Sequence, residues 1–256
     1  MTTLRNYEQD SKQCELYSLM YKNQDLKFVL HQKGKYEKLN NKLMNIHKAL
    51  SLMDTFIDTS DPDVDEPNSV HAYQTAERIR KKYPEDKEYQ IIGLIHDIGK
   101  VLFTFGESEW SITGDTFVVG CKLPESMVYY NETKDHPDRN NTLLGIYEKG
   151  CGIENLNISF GHDEYLYQVL KQNNKNHKIS EKYWDIIRYH SFYPWHDKGE
   201  YKHFMNDSDN GKLKLVQEFN AFDLYSKEDI DLEITDEIKK YYENLLNKYF
   251  LKELQW

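Results

Sequence analysis

A mostly α-helical single domain is the fold class that the sequence predicts, and two observations carry it. Apolar residues recur at three- and four-residue spacing along most of the chain, the period of a helix with one buried face. No internal repeat and no break in composition divides the 256 residues into separate units. A chain of this length buries roughly 70–75% of its unfolded surface, so it needs no disulfide staples.

The first helix is expected over about 12–40, where Leu16, Leu19, Met20, Leu26, Val29 and Leu30 keep the period. A second follows over 41–57 through Leu43, Ile46, Leu50, Met53 and Ile57. Segment 58–68, two prolines among short polar residues, is an ordered loop. Ser69 is the expected N-cap of a helix to about Tyr83, with Pro84 just past its end. A more buried helix spans 88–103 around Ile91, Ile92, Leu94, Ile95, Ile98, Val101 and Leu102. Between 106 and 140 the helical period vanishes. There Gly114, Asp115, Gly120 and Pro124 punctuate β-branched and aromatic residues, which predicts a long loop with two short strands. Helices resume near 141–147, 161–173, 180–191, 212–225 and 236–252.

Asp and Glu total 43 against 33 Lys and Arg, a formal net charge of -10. Such a surface repels a phosphate backbone and an anionic membrane, so neither nucleic acid nor membrane is an expected partner. Cys14, Cys121 and Cys151 form no CxxC spacing and read as ordinary thiols of a reducing compartment. The first residues, MTTLRNYEQDSKQ, hold no apolar stretch, and nowhere do about 18 apolar residues run together. The expected location is cytoplasmic.

Six of the ten histidines, His31, His47, His136, His177, His196 and His203, stand among Lys, Asn and Asp and are expected on the surface. The other four stand differently. His71 lies early on a predicted helix, and His96 with Asp97 interrupts the apolar run 91–102. His162 opens Gly-His-Asp-Glu-Tyr, and His190 closes a helix. Two titratable side chains inside an apolar helix are costly to bury unless metal ligation or a hydrogen-bonded network offsets the cost. Gly93 and Gly99 flank the pair and would let another helix approach closely.

A His on the preceding helix, the His-Asp pair and a distant helical Asp, here Asp223, form the H…HD…D pattern of HD-domain metalloproteins. His162 and His190 lie where members with two metals supply further histidines. Four imidazoles and two carboxylates suit Fe, Zn, Mn or Co over Ca or Mg, and Asp97 can bridge through its two oxygens. Two such metals serve either of two chemistries. They activate water for phosphoester hydrolysis, or, as iron, they bind and reduce dioxygen. The ligands do not choose.

Other segments bear on the choice. SDPDVDEPNS (60–69), GLIHDIGK (93–100), GDTFVVGC (114–121), GHDEYLY (161–167), IRYHSFYPWH (187–196) and VQEFNAFDLYSK (216–227) resemble the myo-inositol oxygenase family, in the family's order. The likeness runs from Arg5 to Trp256, and is weakest over 197–213 and in the polar loop 131–140. It implies an HD-domain-like helical fold and a mixed-valent Fe(II)/Fe(III) enzyme that cleaves myo-inositol to D-glucuronate with O2 and no external reductant. By position it implies one iron on His71, His96, Asp97 and Asp223, and a second on His162 and His190, with Asp97 bridging. It further implies polyol contacts from Arg5, Asp58, Ser60, Lys100, Gly114, Asp115, Ser191 and Lys227, the polyol chelating the iron that His190 holds.

Lys100 stands four residues after His96 on one helix face. A cation there favours an ionised hydroxyl on the metal, which makes Lys100 the expected catalytic side chain. Arg5 reaches the site only if the N-terminal residues, about 1–40, fold across it as a lid. Asp163 and Glu164 either orient the histidines or cap a helix, and Phe192, Tyr193 and Trp195 either wall the cavity or belong to the core. A monomer is expected. An HD-type metal-dependent phosphohydrolase is the competing expectation, favoured by Arg and Lys side chains converging on the metals.

Overall fold

In the computed structural model, which describes residues 7–8, 11–61, 67–226 and 233–256, the predicted first helix divides in two. α1 spans Lys12–Asn23 and α2 spans Leu26–Tyr36. Between them the buried Gln24 side chain donates to the Phe160 carbonyl and accepts from its amide, both at 2.7 Å. Asp25 then caps α2 by accepting from the Phe28 N–H. A tertiary contact ends a helix that periodicity alone would run through.

The predicted second helix shrinks to α3 (Ile46–Leu52), capped by Asn45, and one 3-10 turn over Met53–Thr55. Just before it, strand β1 (Leu43–Met44) pairs antiparallel with β2 (Leu254–Gln255) from the far end of the chain. The fully buried Trp256 donates its indole N–H to the Met44 carbonyl at 3.0 Å, which ties that end to the base of α3.

α4 (Asn68–Lys82) starts one residue before the expected Ser69, with Pro67 at its N-cap. α5 (Lys87–Ile95) stops at the His96-Asp97 step, and the remainder of the expected helix winds as a 3-10 helix over Ile98–Phe105. Both flanking glycines permit close packing. A Cβ on Gly93 would sit 3.0 Å from the Ala76 Cα of α4, and one on Gly99 only 2.1 Å from the His162 carbonyl oxygen.

Region 106–140 is a succession of turns and short 3-10 segments. Among its described residues there is no strand, and the nearest thing to one is a single bridge from Val118 to Ile158. The helix expected near 141–147 is likewise a run of turns, where Gly145 adopts φ +55° against the Gly120 carbonyl.

α6 (His162–Gln172) lies where expected, between Gly161 and Asn173. A 3-10 turn leads into α7 (Trp184–Tyr189), and the single turn α8 (Tyr193–His196) follows. α9 (Asp209–Ser226) begins earlier than expected, because Asp209 accepts from the amides of Asn206 and Ile153. α10 (Asp236–Tyr249) is capped by Thr235.

The fold is mostly α, as predicted. Ala72, Ile79, Ile92, Ile95 and Phe219 join α4, α5 and α9 in the main core, while Val118, Phe192, Trp195, Phe204 and Val216 form a smaller second one. Each large side chain so withdrawn from water contributes roughly 1.5–3 kcal/mol.

Three histidines expected on the surface are buried: His136, His177 and His196. Their rings bond main-chain carbonyls, of Gln24 at 3.1 Å, Leu170 at 2.9 Å and His190 at 2.8 Å. His136 and His177 also accept from main-chain amides on Nδ1, and rings satisfied at both nitrogens cost little to bury. Polar neighbours in the sequence do not report it.

Candidate metal centre

Six side chains from distant parts of the chain converge, none more than 5% exposed. His71 stands in the first turn of α4, His96 and Asp97 at the break after α5, and His162 on the first residue of α6. His190 caps the end of α7, and Asp223 lies on α9. On an unbroken α-helix, neighbours such as His96 and Asp97 point about 100° apart. Here both line one pocket, at the step where α5 gives way to 3-10 winding and elements from elsewhere in the chain close around it.

His71 Nε2 lies 2.8 Å from Asp223 Oδ1, and His96 Nε2 lies 3.4 Å from that oxygen and 3.5 Å from Asp97 Oδ2. On the other side, Asp97 Oδ1 is 3.1 Å from His162 Nε2 and 3.4 Å from His190 Nε2. Asp97 thus offers one oxygen to each half of the cluster.

The imidazoles are oriented by the main chain. His96 Nδ1 is 2.8 Å from the Gly93 carbonyl, His162 Nδ1 is 2.6 Å from that of Ile112, and His190 Nδ1 is 3.1 Å from that of Ile187. A carbonyl only accepts, so each Nδ1 carries the proton and each Nε2 turns a lone pair inward. Lone pairs and carboxylates crowded in a buried space repel one another, and a cation among them reverses the sign. Two imidazole nitrogens sharing an ion at about 2.1 Å stand about 3 Å apart. His162 and His190 Nε2 are 3.2 Å apart. The donor set fits a divalent metal, with His71, His96 and Asp223 forming one group, His162, Asp163 and His190 another, and His96, Asp97 and His190 a third that joins them.

Lys100 lies beside this cluster, its ammonium 2.7 Å from Asp58 and 2.8 Å from Asp97 Oδ2. Burial works against its charge, but the two carboxylates more than offset that and push its pKa above the ordinary lysine range. Burial also disfavours ionised Asp97. The Lys100 ammonium beside it nonetheless holds it well below the usual carboxylate range. Lys100 is therefore a fixed cation at neutral pH and not a proton acceptor.

Asp58, Ser60, Gly114, Asp115 and Ser191 line the same pocket, which holds about 550 Å³ counting its open mouth. Gly114 adopts φ +90°, a conformation that favours glycine, and it packs against Met20 and Tyr17 of α1. Tyr17 of α1 donates to Asp115 Oδ1 at 2.9 Å and supports the turn from behind. Ser60 donates its hydroxyl to Asp58 Oδ1 at 2.6 Å. Arg5 and Lys227 lie outside the described residues.

Other side chains at the site went unread in the sequence or were left open. Asn68 donates its amide to Asp97 Oδ2 at 2.9 Å; its only signal was a place one helical turn before His71. Tyr193 walls the pocket with its hydroxyl 3.5 Å from Asp223 Oδ2, whereas Phe192 and Trp195 belong to the second core. Asp163 contacts the two imidazoles, while Glu164 pairs with Arg188 at 2.8 Å.

These features define a helical protein built around a buried histidine–aspartate centre suited to metal. Its relatives narrow the class. The family model described as myo-inositol oxygenase matches residues 10–256. The chain is 42% identical over 263 residues to an inositol oxygenase of Danio rerio, covering 100% of this chain and 94% of that one. It is 44% identical over 245 residues to the inositol oxygenase of Mus musculus, covering 94% and 85%. Against inositol oxygenase 1 of Arabidopsis thaliana it is 43% identical over 265 residues, covering 99% and 84%. The chain belongs to the myo-inositol oxygenase family.

Proposed function

We propose that the protein is a di-iron oxygenase that opens the ring of myo-inositol with O2. One inositol and one O2 give one D-glucuronic acid and one water, and the ring loses the four electrons that O2 takes up. In this reading His71, His96, Asp97 and Asp223 hold one iron, His162 and His190 hold the other, and Asp97 bridges. A mixed-valent Fe(II)/Fe(III) pair supplies the oxygen activation and electron transfer.

The chain's own residues supply the rest. Lys100, a buried cation beside the bridging carboxylate, stabilises an ionised hydroxyl of the polyol. Asp58, Ser60, Asp115 and Ser191 offer hydrogen-bond partners around the neutral ring, and Gly114 leaves it room. Arg5 and Lys227 complete the contacts, with residues 1–40 as a lid that excludes water. The enzyme acts as a cytoplasmic monomer; among its described residues no helix is long and apolar enough to cross a membrane.

The wall of the pocket carries the choice of substrate. Among the described residues lining it, Lys100 is the one Lys or Arg against Asp58, Asp61, Asp97, Asp115 and Asp223. A phosphohydrolase needs cations converging on the transferring group; Lys100 is already engaged by Asp58 and Asp97, and the relatives named inositol oxygenase support the neutral polyol. Fe(II)-loaded protein given myo-inositol and limiting O2 should consume oxygen and form uronate one for one. No oxygen uptake by a sample shown to hold two irons would end this reading, and phosphoesters would be screened next.

A further inference from the structure

We infer that Asp163 is the positioning residue of the second ion, the carboxylate that sets His190 and Ser191 for their tasks; this rests on the two-ion reading above. Asp163 is fully buried on the first turn of α6. Its Oδ1 lies 3.1 Å from His190 Nδ1 and 3.2 Å from His162 Nε2, and it accepts from Ser191 Oγ at 3.0 Å. Its Oδ2 is buried without a hydrogen-bond partner. Among the described residues no Lys or Arg lies within ion-pair distance of it, and its titratable partners are the two imidazoles.

A carboxylate in that position is costly, because one oxygen is unsatisfied and no side-chain cation balances the charge. Its neighbour shows the contrast: Glu164 accepts from Arg188 at 2.8 Å and from Gln168 at 2.9 Å. The contact with His162 Nε2 adds to the cost, since that nitrogen's proton sits on Nδ1 and two acceptors face each other. A metal ion held by the two imidazoles supplies the missing positive charge. An ion on Nε2 also makes the His190 ring more positive, which favours the carboxylate standing 3.1 Å from its Nδ1.

The same oxygen acts on two neighbours. The carbonyls of Ile186 and Ile187, 3.2 and 3.1 Å from His190 Nδ1, fix the ring so that Nε2 faces Asp97, and the Asp163 oxygen adds its negative charge beside that nitrogen. By accepting the Ser191 O–H, it turns that hydroxyl's lone pairs toward the pocket, where a polyol hydroxyl can donate.

The test compares wild type with Asp163→Asn, which keeps an acceptor for Ser191 but loses the charge, and Asp163→Leu, which loses both. Metal-free proteins are titrated anaerobically with Fe(II), bound ions are counted, and Tm is measured with and without metal. Wild type should bind two ions. Asp163→Asn should keep the first and bind the second about 10- to 100-fold more weakly, and Asp163→Leu more weakly still. Without metal, Asp163→Asn should melt at or above wild type, because it has lost an uncompensated buried charge. Unchanged binding of both ions overturns the inference. So does equal weakening of both ions together with a lower metal-free Tm, the mark of a merely structural role. Wild type binding fewer than two ions removes the two-ion reading itself, and the inference falls with it.

Discussion

His71, His96 and Asp223 ride on α4, the end of α5 and α9, elements that meet through Ala76, Ile79, Gly93 and Phe219. His162 and His190 ride on α6 and α7. These also bury Leu166, Ile186 and Ile187, but between them runs the Glu164–Arg188 pair, each member two residues from a candidate ligand. The first half of the centre is thus placed by non-directional apolar packing, which tolerates swaps that conserve volume. The second half is placed by directional buried charge, which does not tolerate the loss of one partner. Two ligand sets in one pocket should therefore answer differently to the same kind of change.

The largest expected effects are on the ligands themselves. His190→Ala should lower uronate formation by more than the roughly 100-fold that outer partners of a metal contribute, and should keep the ion on the first half. His71→Ala should do the converse. Ion counts on the two variants check this, and loss of both ions from either one would break the independence of the halves.

Next comes Arg188→Met, which leaves Glu164 buried without its cation. It should cost about 3–5 kcal/mol in a denaturant melt. Adding Glu164→Leu should restore most of that loss. A single variant as stable as wild type would mean that the pair does not hold α6 to α7.

Gly99→Ala should cost about 1–3 kcal/mol as the new methyl pushes the His162 carbonyl away. The second ion should weaken more than the first. Gly93→Ala, whose Cβ meets α4 instead, should weaken the first.

The smallest effect lies outside both halves. Burial lowers the pKa of His177 below its ordinary value, against opposing contributions from the Leu170 carbonyl and Glu88. The unfolded chain therefore takes up this proton at higher pH than the folded one. The stability from neutral His177 is complete above about pH 6.5 and is lost as pH falls through the folded value. Tm of the metal-free protein should drop as pH falls below about 6.5, and less steeply in His177→Asn, which can still accept from the Ile179 amide. Equal slopes would show that another group carries the acid sensitivity.

Where the sequence was legible, the signal was local. Helices α6 and α10 follow from apolar spacing and their flanking residues. The His96-Asp97 pair stood out because polar side chains inside an apolar run need a partner. Asn68 and the Glu164–Arg188 pair escaped because each finds its partner across a turn of tertiary structure. His136 was misplaced for the same reason, since its carbonyl partner is on Gln24, whereas His177 and His196 bond carbonyls only seven and six residues back, across a chain reversal that apolar spacing does not report. The two strands expected within 106–140 and the helix expected near 141–147 failed differently. β-branched and aromatic residues there pack the loop into the cores without pairing into a sheet.

By itself the sequence determined the helical class, the buried run around His96 and Asp97, and the chemical character of six candidate ligand positions. Those depend on side-chain type and on a period of a few residues. The tertiary structure alone decided where α1 ends, which strands pair, and how close α6 comes to Gly99. It also decided which oxygen of Asp97 faces which imidazole. Each of these rests on a contact between distant segments, Gln24 with Phe160, Met44 with Leu254, Gly99 with His162. Such contacts form only when the chain closes on itself, so no local window of residues records them.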